Sequence, residues 1–291
     1  MITLTPTKAN LGDLEHIWSG VGPVCLDERV KDKINRAQAI VVEAANGGDA
    51  VYGVNTGFGK LASVKIDKSD TALLQKNLVL SHCCGVGEPL DTQTTRLMLA
   101  LKLLSLGRGA SGVSWATVSL IQDLLSNDIY PIIPEKGSVG ASGDLAPLAH
   151  MAAVLIGEGE VIFEGVRVPS KVALEKKKLQ AIELGPKEGL ALINGTQFST
   201  ACALAGLFEA WRSAKSAIVS CALSTDAIMG STQPLEDEIH ILRGHKGQIS
   251  VAKAQQQLMT GSEIRESHRE DDTRVQDPYC IRCQPQVTGA A

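Results

Sequence analysis

The sequence predicts a mainly α-helical protein: an N-terminal helical domain, residues 1–194, with glycine-rich loops and a small β-hairpin, followed over 195–291 by the first long helices of a central helical bundle. Three observations carry this reading. Apolar residues recur at helical rather than alternating spacing through most of the chain. Glycines between 53 and 59, 107 and 112, and 137 and 143 interrupt that periodicity. Only residues 160–168 show two short apolar runs about a Glu164-Gly165 turn, the hairpin pattern. With 291 residues, 44% of them apolar, the chain is long enough to bury a sizeable core.

Taken in order, Asn10 or Asp13 starts a short helix, and Asp27 caps a longer one that stops at Asn46-Gly47-Gly48. The loop 52–59, YGVNTGFG, separates it from a helix over 70–84. Two more helices span 94–106 and 114–125, with Gly107, Gly109 and Gly112 between them. Residues 130–136 read as a proline-rich loop. An apolar helix over 145–156 follows, capped by Asp144 at its start and by Gly157 at its end. After the hairpin, 171–184 predicts a charged, exposed helix, and 193–196 a turn. The stretch from Gln197 to about Gly230 is one long helix whose many Ala and Ser positions suit packing on several sides in a bundle, so a change of domain is placed near Asn194. A helix over 247–261 and a polar, mobile surface loop over 261–273 come next. Residues 279–291 read as the entrance to a further helix that ends without a charged last turn or a cap, which suggests truncation.

The charge balance, 28 basic against 32 acidic residues, gives −4 and supports no nucleic-acid binding. No apolar stretch reaches the roughly 18 to 20 residues a membrane helix needs, and the first 13 residues lack a basic region followed by an apolar one. A soluble, cytoplasmic protein is expected. The seven cysteines are odd in number and mostly in apolar surroundings, which fits reduced thiols used for packing. Cys280 and Cys283 have CxxC spacing, but no second pair completes a zinc site, so no metal is expected.

The densest chemistry lies in Gly137-Ser138-Val139-Gly140-Ala141-Ser142-Gly143-Asp144, where backbone freedom surrounds a serine at the positive end of a helix. A hydrolase elbow needs Gly two residues beyond the serine and a strand before it, and here Asp144 and a loop stand in those places. No Gly-Lys-Ser/Thr phosphate loop and no strand-preceded dinucleotide loop is present. A plain glycine turn into a helix remains open. A third chemistry suits Ala-Ser-Gly: the Gly143 amide nitrogen attacks the Ala141 carbonyl, unhindered by a side chain. Loss of two waters, one from Ser142, then leaves a five-membered ring with an exocyclic methylene. That group is an electrophile made from the chain itself, in place of an external cofactor.

Five motifs in order resemble the aromatic amino-acid lyase family that uses the methylidene-imidazolone group, and within it the histidine ammonia-lyases. They are YGVNTGFG at 52–59, LVLSHCCGVG at 78–87, GSVGASGDLAPLAH at 137–150, EGLALINGTQ at 188–197 and QDPYCIRCQPQ at 276–286. The resemblance covers the whole chain. It implies a homotetramer of largely helical subunits that removes ammonia from L-histidine to give trans-urocanate, in histidine degradation. It puts the prosthetic group on Ala141, Ser142 and Gly143, the β-proton abstraction on Tyr52 or Tyr279, and the substrate carboxylate on Arg282. Tyr52 in that role needs a phenol pulled below its usual value of about 10. Asn194 and Gln276 match polar groups beside the prosthetic group or substrate. Ser81-His82 matches the histidine enzymes, whereas the tyrosine and phenylalanine enzymes usually carry His-Leu or Phe-Leu there; His82 would contact the imidazole. Cys83-Cys84 departs from the usual small residues. The family continues well past Ala291, adding the rest of the bundle and a glutamate near the substrate, so the 291-residue chain alone is expected to be inactive or nearly so. A related aminomutase, a serine hydrolase and a non-catalytic helical oligomerising fragment are the alternatives.

Overall fold

Asn10 opens the first helix, α1 (Leu11–Trp18), with a capping box. Its side-chain oxygen accepts the Asp13 N–H at 3.0 Å, and the Asp13 carboxylate accepts the Asn10 N–H at 3.3 Å. The computed structural model describes residues 2–20 and 22–291. Two short strands, β1 (Ile2–Leu4) and β2 (Val24–Leu26), flank α1 and pair in parallel. Asp27 accepts the Arg29 N–H at 3.0 Å, but it caps a single 3-10 turn, Glu28–Val30, that leads into α2 (Lys31–Asn46). The Arg29 guanidinium beside it holds the Asp27 carboxyl well below the usual carboxylate range.

The helices α3 (Thr71–His82), α4 (Thr92–Leu106) and α5 (Trp115–Ser126) lie where the periodicity predicts them. Asp91 and Ser114 cap the last two through the backbone N–H groups of Thr94 and Thr117. A strand β3 (Val86–Pro89) follows α3. The segment 130–136, expected as loop, instead supplies β4 (Tyr130–Pro131) and β5 (Pro134–Lys136). β5 pairs antiparallel with β3, and β4 pairs with β6 (Glu160–Phe163), the first strand of the predicted hairpin with β7 (Val166–Pro169). The four proline-bearing strands, β3, β4, β5 and β7, are all edges, where a missing N–H donor is tolerated.

Between them runs α6 (Leu145–Leu155). Its end is a Schellman motif: Gly157 N–H bonds Val154 O and Glu158 N–H bonds Ala153 O. The next helix, α7 (Ser170–Lys176), is half the expected length. Lys178 takes a left-handed φ of 56° and the N–H of Leu179 returns to Leu174 O, a second Schellman closure. The charge pattern of 171–184 hides this stop because a lysine stands where glycine usually signals it. Then come α8 (Glu188–Ile193) and the long α9 (Gln197–Ala227).

The chain divides into two compact units, residues 1–205 and 206–291, the division falling within α9. In the first, Leu97, Leu99 and Leu103 of α4, Leu124 of α5, Leu148 and Leu155 of α6 and Leu192 of α8 are fully buried. Each such side chain contributes about 1.5–3 kcal/mol by leaving water, and α6 packs on both α3 and α8. The second unit continues with α10 (Asp237–Arg243), α11 (Lys246–Leu258), α12 (Glu263–Ser267), α13 (Tyr279–Arg282) and α14 (Gln284–Ala290). The stretch 261–273, expected as a loop, thus contains α12, started by Ser262 accepting the Arg265 N–H at 3.1 Å. α14 lies against α11 with Gly247 and Gly289 in backbone contact.

Candidate active site

A cleft of about 720 Å³ in the first unit is lined by Tyr52, His82, Ser142 and Asn194, four residues singled out in the sequence, together with Phe58, Leu190 and others. Each arrives on a differently built support. Tyr52 stands in a loop that Asn55 ties together: its Oδ1 accepts the Val51 N–H at 2.7 Å and its Nδ2 donates to Asp49 O at 2.9 Å. The Tyr52 ring meets Phe58 edge to face, with centroids 6.1 Å apart, and the residue is 54% exposed. Buried Gln75 on α3 donates to Gly53 O at 3.4 Å and accepts the Leu190 N–H at 3.2 Å, joining this loop to α8.

His82 is the last residue of α3. Its Nδ1 lies 2.8 Å from Leu78 O, and a carbonyl can only accept, so Nδ1 carries the hydrogen. In the neutral ring Nε2 therefore keeps the lone pair. Next to it, burial and the neighbouring Cys84 push the Cys83 thiol up to about 11, which marks Cys83 as a packing residue and not a nucleophile. Gly85 N–H donates to His150 Nε2 at 3.1 Å, and burial lowers the His150 pKa.

Asn194 closes α8 with an extended backbone, φ −87° and ψ 142°. Its Nδ2 donates to Leu190 O at 2.9 Å. Gly195 then meets the serine loop: it bridges Gly143 in parallel, and its carbonyl accepts the Asp144 N–H at 2.8 Å. A Cβ on Gly143 would fall 2.3 Å from Gly195 O, so only glycine permits this approach. Ser142 has a left-handed φ of 61° and Gly143 one of 96°, an expensive conformation for the serine. The loop is clasped at its base by Asp144. This residue makes no side-chain cap to α6, contrary to the sequence reading. Its fully buried carboxylate accepts from Ser138 Oγ at 2.7 Å, from Ser199 Oγ, and from the Ser199 N–H at 2.8 Å, and so caps α9 instead.

In the second unit, Tyr279 and Arg282 are the first and last residues of α13. Arg282 Nη1 donates to Gln276 Oε1, a pairing of two predicted site residues. Asp277 between them is buried and accepts the Ser231 N–H at 2.6 Å, which anchors the segment. Cys280 and Cys283 are free thiols, and among the described residues no cluster suits a metal ion.

The family model described as aromatic amino acid lyase matches residues 9–291. The chain belongs to that family. It is 66% identical over 290 residues to a histidine ammonia-lyase of Roseobacter denitrificans, an alignment covering 100% of this chain and 56% of the relative. Among solved structures it resembles the ergothioneine-degrading ergothionase of Treponema denticola, with TM-score 0.89, 30% identity, 99% of this chain and 57% of the other. It also resembles the histidine ammonia-lyase of Trypanosoma cruzi, with TM-score 0.85, 33% identity, 99% of this chain and 53% of the other. The chain thus spans about half the length of the curated relative it matches.

Two lysines, one lining this cleft and one behind its wall, escaped the sequence reading. Lys187 lines the cleft with a left-handed φ of 67° and donates to Ser111 O at 3.0 Å. Lys102 lies behind the wall, buried, and donates to the carbonyls of Ala191 and Asn194. The second carried a visible signal, a single cation inside LMLALKLLSL. The first carried none, because nothing in Gly185-Pro186-Lys187 announces which way the turn points.

Proposed function

We propose that the full-length protein is a histidine ammonia-lyase, which breaks the Cα–N bond of L-histidine, removes a β-proton and releases ammonia and trans-urocanate. The observation that carries the reading is the convergence of Tyr52, His82, Ser142 and Asn194 on one cleft. The 66% identity to a histidine ammonia-lyase along the whole chain supports it.

The residues present suit the methylidene-imidazolone prosthetic group. Gly143 is held bare against Gly195, Ser142 is already in a strained turn, and the Ser138–Asp144 clasp closes the loop behind Ala141. Ala141, Ser142 and Gly143 would form the group, which supplies an electrophile without an external cofactor. The chain's own groups do the rest. Tyr52, with its ring at the cleft and partly exposed, is placed to take the β-proton, a role it shares as candidate with Tyr279. His82 presents the lone pair of Nε2 to the N–H of a substrate imidazole. Asn194 spends its Nδ2 on Leu190 O and keeps its amide oxygen for a donor in the cleft. Arg282 supplies the guanidinium that a planar carboxylate favours, and Gln276, which now accepts from it, yields to the substrate. A cytoplasmic homotetramer acting on a small-molecule substrate completes the proposal.

The deciding experiment is peptide mass analysis of the purified protein, with urocanate followed by its ultraviolet absorbance. A deficit of two waters confined to the peptide with residues 141–143, abolished in Ser142→Ala, is the expected result. An intact serine in an active protein would refute the reading.

A further inference from the structure

Lys102 belongs to none of the motifs that carry the family resemblance and does not line the cleft. It sits in the middle of α4, only 1% exposed, with Met98, Leu99 and Leu106 on the same side of the helix and equally buried. Among the described residues no carboxylate is within ion-pair distance of its Nζ. A methionine of similar length would fill the same space without the cost of burying an ammonium. The lysine is therefore held for what its N–H groups do.

They reach two backbone carbonyls, Ala191 O and Asn194 O, both at 2.9 Å. These lie at the C-terminal end of α8, where carbonyls lose their helical partners and the helix dipole favours a cation. One residue further on, Gly195 receives the Asp144 N–H and touches Gly143. The buried amine is thus separated by a single residue from the backbone contact that supports the serine loop.

We infer that Lys102 is a positioning residue: it anchors residues 191–195 so that Asn194 faces the cleft and Gly195 backs Gly143. The consequence for catalysis rests on the reading proposed above; the anchoring itself does not. Burial lowers its pKa to about 7, and the amine keeps hydrogens to donate in either state.

Hydrogen exchange read by mass spectrometry tests the anchor on the whole 291-residue chain. In Lys102→Met, exchange over 137–145 and 190–197 should accelerate about tenfold, with the rest of the first unit near its wild-type rates. Lys102→Arg, which keeps the cation, should restore most of the protection. Unchanged rates in those two segments, or an acceleration spread evenly over residues 2–205, would overturn the proposal. If Lys102→Met does not fold, Lys102→Gln takes its place under the same criteria. Peptide mass on the same samples separates the two readings. Wild type lacking two waters at 141–143 while Lys102→Met retains them extends the anchor to ring closure, and equal dehydration in both refutes that extension. A wild-type 291-residue chain that keeps both waters refutes ring closure in this chain alone; the lyase reading is then decided on the full-length protein, and the exchange rates still decide the anchor.

Discussion

Gly143 is the residue whose replacement tests the serine loop most directly. Alanine there faces both a φ of 96° and a backbone oxygen 2.3 Å from its methyl group. Neither neighbour is a side chain that can turn away, so Gly143→Ala should cost about 2–4 kcal/mol in denaturant unfolding. Wild-type stability would show that Gly195 moves freely. His82 makes a milder test. In the full-length protein, under the proposed function, His82→Leu removes the Nε2 acceptor and should raise KM for histidine about tenfold or more while leaving the fold intact. Lys102 gives a pH prediction. Its pKa is about 7 in the folded protein and 10.5 ordinarily, so between these values the unfolded chain binds more protons than the folded one. Stability relative to Lys102→Met should then rise with pH across that window, by up to about 1.4 kcal/mol per unit. A flat difference between pH 7 and 10 would show that the amine stays charged when buried.

Helix starts and stops set what was legible in the sequence. Asn10 and Ser114 act through N–H groups three residues away at starts the sequence marks, whereas Asp91 caps α4 at Thr92, ahead of the start at 94 that periodicity alone suggests. Asp144 looks the same in sequence and behaves differently, because its carboxylate serves Ser199, 55 residues on, at the start of α9. No local pattern reports a partner that distant. The stop of α7 was hidden for a different, local reason: Lys178 takes the left-handed φ that glycine usually supplies, with the Leu179 N–H closing on Leu174 O, so no glycine signals the end. The cleft residues Tyr52, His82, Ser142 and Asn194 were legible through motifs, whereas Lys102 and Gln75, which hold the supports together, act across the fold. Asp144 therefore predicts a defect in two elements at once. Asp144→Ala strands the Ser199 N–H and two serine hydroxyls and should cost about 2–4 kcal/mol. Exchange should rise both in 137–144 and in the first turn of α9, and protection retained at α9 would contradict the shared cap.

For the chain as a whole, the deciding fact is that it spans 56% of its Roseobacter relative while carrying the complete set of matched motifs. The first unit buries many large apolar side chains, Leu97, Leu103, Ile121, Leu148 and Leu192 among them. The second unit leaves large apolar side chains in water: Trp211 is 57% exposed on α9, Leu242 89% on α10, and Val275 fully. Isolated apolar residues on a surface need no explanation, but Leu207, Trp211 and Leu223 recur along one helix among alanines and serines. Leu207 and Trp211, four residues apart, share one face of the helix, and Val219 and Leu223 share another about 120° round it, so a helix so composed gains by burying both faces against other helices, in its own chain or a second copy. The 291-residue chain alone should consequently sediment as oligomers whose size grows with concentration. Trp211→Arg with Leu223→Arg should shift it toward monomer without changing exchange over 137–145. Under the proposed function, the wild-type 291-residue chain should also form urocanate far more slowly than a full-length relative at equal concentration, since it spans 56% of that relative. A monomeric chain turning over histidine at the full-length rate would show that the 291 residues suffice, and would remove the need for any further bundle around α9.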